Sequence, residues 1–167
     1  LNYNKPVTAS STLGSYTANN AVDESIKTYW SAVSADEGEW LQSDLGALST
    51  LHAIQINYAD QDAEFLGKSM GVYHQYKIFE SADGKKWRLL VDKSRNMTDV
   101  PHDYIELGTP VRTRYLKLVN IHMPTGKFAV SGLRAFGYGH GDKPGAVKEF
   151  IVLRTNRDKR SAWLRWS

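Results

Sequence analysis

Apolar residues along this chain recur in short runs of period two, interrupted by Gly, Pro, Asp and Asn, the pattern of half-buried strands separated by turns. Glu39-Trp40-Leu41-Gln42-Ser43-Asp44-Leu45-Gly46 predicts a strand that stops at a glycine, and Leu51-His52-Ala53-Ile54-Gln55-Ile56-Asn57-Tyr58 predicts a second. The run from Tyr76 to Val91 reads as two strands joined through Asp83-Gly84, a pair that tolerates positive φ in a tight hairpin turn. Tyr104-Ile105-Glu106-Leu107 predicts a strand that turns at Gly108-Thr109-Pro110; Arg114 to Ile121 and Phe128 to Phe136 follow as two more. No helical period of 3.6 is sustained over ten residues. About seven short strands with turn chemistry between them imply an all-β chain folded as an antiparallel β-sandwich. The expected inward set is Trp40, Leu45, Ile54, Ile56, Ile78, Trp87, Leu89, Ile105, Leu116, Leu118, Ile121, Leu133 and Phe136.

Connection parity places the loops. In an antiparallel up-and-down path alternate connections fall at the same end, so segments 11–38, 59–73, 93–102 and 122–127 share one rim, opposite 47–50, 83–84 and 108–112. Long loops on a rigid scaffold are where binding groups concentrate. The sandwich is expected over residues 1–138, a Gly/Pro-rich linker over 139–145, and an incomplete β segment of two strands over 146–167.

Composition narrows the function classes. The 167 residues carry 21 Lys and Arg against 18 Asp and Glu, a net charge of +3, too small and too mixed for a nucleic-acid footprint. Cysteine is absent, which removes disulfides, thiolate metal sites and cysteine nucleophiles together. No apolar run approaches 18 residues, so no membrane-inserted segment is expected. The start, Leu1-Asn2-Tyr3-Asn4-Lys5, lacks the succession of a signal peptide, although a leader on a longer precursor is compatible with it. His52, His74, His102, His122 and His140 are dispersed without the i, i+4 spacing of a zinc pair. The carboxylate pairs Asp60 with Asp62 and Asp23 with Glu24 read as turn, cap or solvated loop residues, and no catalytic pair or nucleophile can be named.

Particular motifs then stand out: Lys5-Pro6-Val7-Thr8-Ala9-Ser10-Ser11, Asn20-Ala21-Val22-Asp23 with Thr28-Tyr29-Trp30, and Glu39 to Gly46. Ser81-Ala82-Asp83-Gly84-Lys85-Lys86-Trp87, Arg114-Tyr115-Leu116-Lys117-Leu118 and Leu133-Arg134-Ala135-Phe136-Gly137 follow in order. Together they resemble the discoidin, or coagulation factor V/VIII C-type, domain family, which includes family-32 carbohydrate-binding modules; the likeness covers residues 3 to 138. Tyr73-His74-Gln75-Tyr76, Pro101-His102-Asp103-Tyr104 and Phe128 to Arg134 resemble modules that follow the catalytic domain of bacterial family-43 glycoside hydrolases, where a fibronectin-III-like segment often comes next. The resemblance implies a discoidin-like jelly roll of the galactose-binding-domain kind. It also implies a non-catalytic, glycan-binding accessory module on a secreted, periplasmic or cell-surface bacterial enzyme. Two alternatives stand beside this: a structural module packed on its own catalytic domain, and a protein or lipid adhesion module, which only Phe65, Leu66, Met70 and Val72 suggest.

Two kinds of site follow. The loop from Asn20 to Thr28 offers the hard oxygens calcium prefers; the resemblance implies a structural calcium there with Asp23 and Thr28 as ligands. The acidic residue that family members supply near the last strand is replaced by Ser131-Gly132-Leu133, and a capped turn is the other reading. A sugar needs an aromatic face and fixed polar groups. The rim supplies Tyr16, Tyr58, Asp60, His74, His122 and Lys127 as the expected ligand-binding set. The resemblance favours Tyr58, Asp60 and His122, while Trp30, Tyr73 and Phe128 read as plugs of the core.

Overall fold

The computed structural model describes residues 1–64, 71–139, 149–156 and 161–166. Among these residues there are nine strands: β1 (Val7–Ala9), β2 (Trp30–Ser31), β3 (Trp40–Tyr58), β4 (Gln75–Ser81), β5 (Arg88–Asp92), β6 (His102–His122), β7 (Ala129–Tyr138), β8 (Phe150–Asn156) and β9 (Ser161–Trp166). A single 3-10 turn, Ala18–Ala21, precedes β2. The architecture is the expected antiparallel β-sandwich. One layer pairs β1, the first half of β3, the second half of β6, β4 and β5. The other pairs β2, β7, the second half of β3 and the first half of β6.

Strands β3 and β6 thus belong to both layers, which corrects two expected turns. The strands read at 39–46 and 51–58 form one element, bent where pairing with β6 shifts between Asp44 and Ser49. Gly46, at φ +82°, gives the bend a backbone conformation other residues adopt only with strain. Asp44 fixes the corner: its carboxylate accepts two 2.8 Å hydrogen bonds from the Arg114 guanidinium and one from the Gly46 N–H. The Arg114 bonds, more than any other cause, hold its carboxyl below the usual range. Likewise Gly108-Thr109-Pro110 does not reverse the chain; β6 runs through it with residues 107–110 lacking partners on β3. The hairpin of β4 and β5 exists, but its connection spans 82–87. Asp83 accepts the N–H groups of Lys85 and Lys86 there, and Ser81 Oγ accepts that of Gly84.

Inside the sandwich Leu41, Ile54, Ile56, Ile78, Leu116, Leu118 and Leu133 are buried, and Trp30, Tyr76 and Phe128 fill the rim end. Trp40 is not among them. It neighbours the wholly buried Leu41, so period two turns it outward, where it and Trp87 flank the Lys117 ammonium at 5.1 and 4.1 Å. Leu89 and Phe136 are exposed and Ile121 half-buried, against expectation. For Leu89 a register shift between Ile78 and Phe79 resets the alternation between β4 and β5.

Register pairs Asn57 with His102, Gln75 with His122 and Tyr58 with Val130. The ends that launch the long loops therefore meet at one rim, as parity requires. Strands β8 and β9 form an antiparallel hairpin with which no other strand pairs among the described residues. Linker residues 140–145 lie outside the described residues.

Candidate functional site

Four strand ends converge at the rim, and the loops leaving them enclose an open cleft of about 420 Å³. Ala59, Asp60, Ala63 and Glu64 line one side, Val72 and His74 the base of the next loop, Asp99 and Pro101 a third side, and Met123, Pro124 and Thr125 the fourth. The loops are tied to one another. Lys127 N–H donates to Gln61 O, Glu64 N–H donates to Thr125 Oγ1, and Asn96 Nδ2 donates to His74 O. Gly126 permits the first of these contacts, because a Cβ there would stand 2.3 Å from Gln61 O.

His74 is the most buried polar side chain lining the cleft. Its ring lies flat on Tyr58, with centroids 3.8 Å apart and planes 16° from parallel, and only 8% of the residue is exposed. Burial pushes its imidazole down to about 4, against the opposing pull of Asp99 and Asp60. The base of the cleft is therefore a neutral imidazole, ringed by the exposed carboxylates of Asp60, Glu64 and Asp99.

Of the expected ligand set, the structure brings Asp60 and His74 into the cleft, with His122 beside it, its ring 4.8 Å from that of Tyr73. The others are corrected. Tyr58 is buried beneath His74 and against Phe128 and Tyr76, so it presents no face to a sugar. Tyr16 stacks on Tyr29 at 4.7 Å, and neither lines the cleft. Lys127 turns its ammonium to Asp62, 3.2 Å away. Glu64, Asp99 and Met123 were not singled out from the sequence, sharing the expected rim segments but no motif, and Val72, named for the adhesion alternative, lines the cleft. Phe65, Leu66 and Met70, named for the adhesion alternative, lie outside the described residues.

The expected calcium ligands Asp23 and Thr28 do meet, but in a hydrogen-bonded turn. Asp23 Oδ1 accepts the Ser25 N–H at 2.8 Å and Oδ2 accepts the Thr28 hydroxyl at 2.7 Å. Among the described residues no group of three or more His, Asp and Glu side chains could hold a metal, and Gly132, paired with Asn57, stands in the Ser131-Gly132-Leu133 stretch where the resemblance implies an acidic ligand. Each Asp23 oxygen already accepts one hydrogen bond from its own loop, so a calcium there would share them and draw its other oxygens from hydroxyls and backbone carbonyls.

A two-layer β-sandwich with strands bent through both layers and its long loops gathered over one open cleft is a module of the discoidin type. The chain belongs to the F5/8 type C domain family, whose model matches residues 6–134. Solved structures agree in fold. Chitosan-binding module 1 of a chitosanase/glucanase from Paenibacillus sp. IK-5 is similar with a TM-score of 0.66 and 22% identity, over 81% of this chain and 97% of that one. Module 2 of the same enzyme, in complex with chitotriose, gives 0.68 and 18%, over 81% and 98%. The family 32 carbohydrate-binding module of Clostridium perfringens NanJ, in complex with galactose, gives 0.63 and 18%, over 79% and 93%. A search of curated sequences finds no match.

Proposed function

We propose that this domain is a non-catalytic carbohydrate-binding module that takes one or two sugar rings in the rim cleft, on a secreted or cell-surface glycoside hydrolase whose substrate it concentrates. The observation that carries the reading is the cleft itself. It is open, tied across four loops, floored by a fixed imidazole and edged by acceptors for hydroxyls, with Val72, Met123 and the prolines as its apolar surface. The sugar complexes of similar folds support it.

A shallow site that desolvates many hydroxyls gains little net free energy, so a Kd of about micromolar to millimolar is expected. Asp60→Ala is expected to weaken binding about fivefold, the loss of one hydrogen bond worth about 1 kcal/mol. Lys85→Ala, in the hairpin turn at the far end, leaves it unchanged. NMR shift mapping with galactose and with chito-oligosaccharides is the measurement. Shifts confined to residues 83–86 and 108–112, or none with any sugar, would overturn the rim reading. Chromogenic glycosides are expected to stay intact.

The turn at Asp23 is proposed to stand without a metal. EDTA is then expected to leave Tm unchanged, whereas Asp23→Ala costs about 1–2 kcal/mol through two lost hydrogen bonds. A Tm that falls on chelation and recovers with calcium refutes this.

A further inference from the structure

The outward face of the second layer carries a feature that the rim site does not use. On β6 and β7, Tyr104 and Phe136 stand exposed at 58% and 39%, their ring centroids 5.9 Å apart and tilted by 53°. Both flank β3, where Ala53 pairs with Phe136 and Gln55 pairs with Tyr104. Ala53 beneath them is only 3% exposed, so the two rings lean together over it as one apolar platform. Beside them stand Tyr138, 74% exposed on β7, and the exposed Glu106, paired with Ala53 on β6.

Toward the rim, starting from Gln55 on the same strand, lies a groove of about 290 Å³ whose walls include Gln55, Asn57, His102 and Arg134. These four form one fan. Arg134 Nη1 lies 3.3 Å from Gln55 Oε1, and the Asn57 amide reaches both neighbours, at 3.2 Å from His102 Nδ1 and 3.0 Å from Arg134 Nη1, when its oxygen is turned to the guanidinium. Gly132 makes room for this. A Cβ at that position would stand 3.0 Å from the end of the Asn57 amide, so glycine spares that side chain a shift of a few tenths of an ångström as it lies across β7. Over the groove's edge the turn held by Asp23 and Thr28 presents Ile26, 90% exposed. A residue type seldom left so bare is thus held by a capped turn beside a polar groove.

We infer that this sheet face is a second saccharide-binding surface, separate from the rim cleft, and that its ligand carries a carboxylate, as a uronic acid does. Charge decides the class. Arg134 is the one formally charged side chain lining the groove, and its guanidinium presents a planar fork that matches a carboxylate. The rim cleft has the opposite character, with Asp60, Glu64 and Asp99 around it. A uronate seated on Arg134 places the next ring over Tyr104 and Phe136, with Ile26 covering its apolar side. Gln55, Asn57 and His102 supply planar donors and acceptors for its hydroxyls.

The inference does not need the rim cleft to bind, and the experiment separates the two. NMR shift mapping of the whole chain is run with trigalacturonate and with neutral galactotriose at low and high salt. Trigalacturonate is expected to shift Gln55, Tyr104, Arg134 and Phe136, with affinity falling several-fold as salt rises. Arg134→Ala is expected to weaken it tenfold or more. Arg134→Lys, which keeps the charge and loses the fork, still costs severalfold. Tyr104→Ala, at an exposed position that leaves the fold intact, costs about fivefold. Asp60→Ala changes nothing at this face. Trigalacturonate shifts confined to the rim overturn the inference while leaving the proposed function standing, and equal binding of galactotriose at the face overturns the carboxylate class. Shifts at neither place overturn both.

Discussion

Tyr58→Ala is expected to unfold the rim instead of merely stripping a contact from it. The ring is 8% exposed, carries the His74 imidazole at 3.8 Å on one face, and lies within 6.3 Å of both Tyr76 and Phe128. Truncating a buried aromatic leaves a cavity that a sandwich end cannot close, at a cost of about 3–5 kcal/mol. For a domain of this size that corresponds to a fall in Tm of about 10 °C or more. Tyr58→Phe keeps the shape and is expected to stay within about 1 kcal/mol. Thermal and urea denaturation of the three proteins measure this, with sugar titration in parallel. A Tyr58→Ala protein that melts like the parent yet loses sugar binding would restore Tyr58 as a ligand-stacking residue and refute its place in the core.

The second large effect is a loss of stability in mild acid, carried by His74. Burial holds its imidazole down to about 4 in the fold, whereas an unfolded histidine titrates near 6.5. Between those values the unfolded chain binds a proton that the folded one refuses, so acid favours unfolding. The stability is fully present above about pH 6.5, declines as pH falls, and levels off below about 4, for a total of about 3 kcal/mol from this group. The lowered Asp44 carboxyl acts in a different window, since its contribution is lost only as pH falls below the ordinary carboxylate range. Urea denaturation at pH 7, 6, 5 and 4.5 is expected to show the slope, and His74→Gln to flatten it. An unchanged slope in His74→Gln would assign the acid sensitivity to other groups. Because His74 floors the cleft of the folded protein, sugar bound there is expected to be released only as pH falls toward about 4, where the folded imidazole itself takes a proton.

Much of the scaffold was legible because a sheet's period of two is a local property. Leu116 and Leu118, or Ile54 and Ile56, announce their face without reference to anything distant, and all four are buried. The gathering of the long loops at one rim followed from connection parity, which survives errors in strand boundaries. Trp40 was misplaced although its own segment keeps the period: its neighbour Leu41 takes the inward face, and pairing with β6 runs unshifted from Trp40 to Asp44. Leu89 lies beside a shift that resets the alternation, and that shift is set by the partner strand. Gly46, Gly108 and Pro110, read as ends or reversals of strands, lie in strands that run on between the layers, since a bend and a turn need the same residues, whereas Gly84 does sit in a hairpin turn.

The site divides in the same way. Asp60, His74 and His122 could be placed at the rim because they lie on or beside loops whose end of the sandwich was fixed by strand order. Whether a rim aromatic faces solvent or fills the core is not encoded in its own segment. Tyr58 and Tyr104 both belong to alternating strands, yet one lies under His74 and the other stands bare on the outer face. Asp23 and Thr28 likewise have the residue types of calcium ligands, and only the fold shows their oxygens already accepting and donating within one turn. By itself the sequence determined most strands, the sandwich and the end that carries the loops, which rest on short-range periodicity and turn chemistry, and it pointed to the family through the resemblance of its motifs. Tertiary structure decided which side chains are free to meet a ligand, because burial and hydrogen-bond saturation depend on neighbours many residues away, as Tyr58 does on His74 and Asn57 on Gly132.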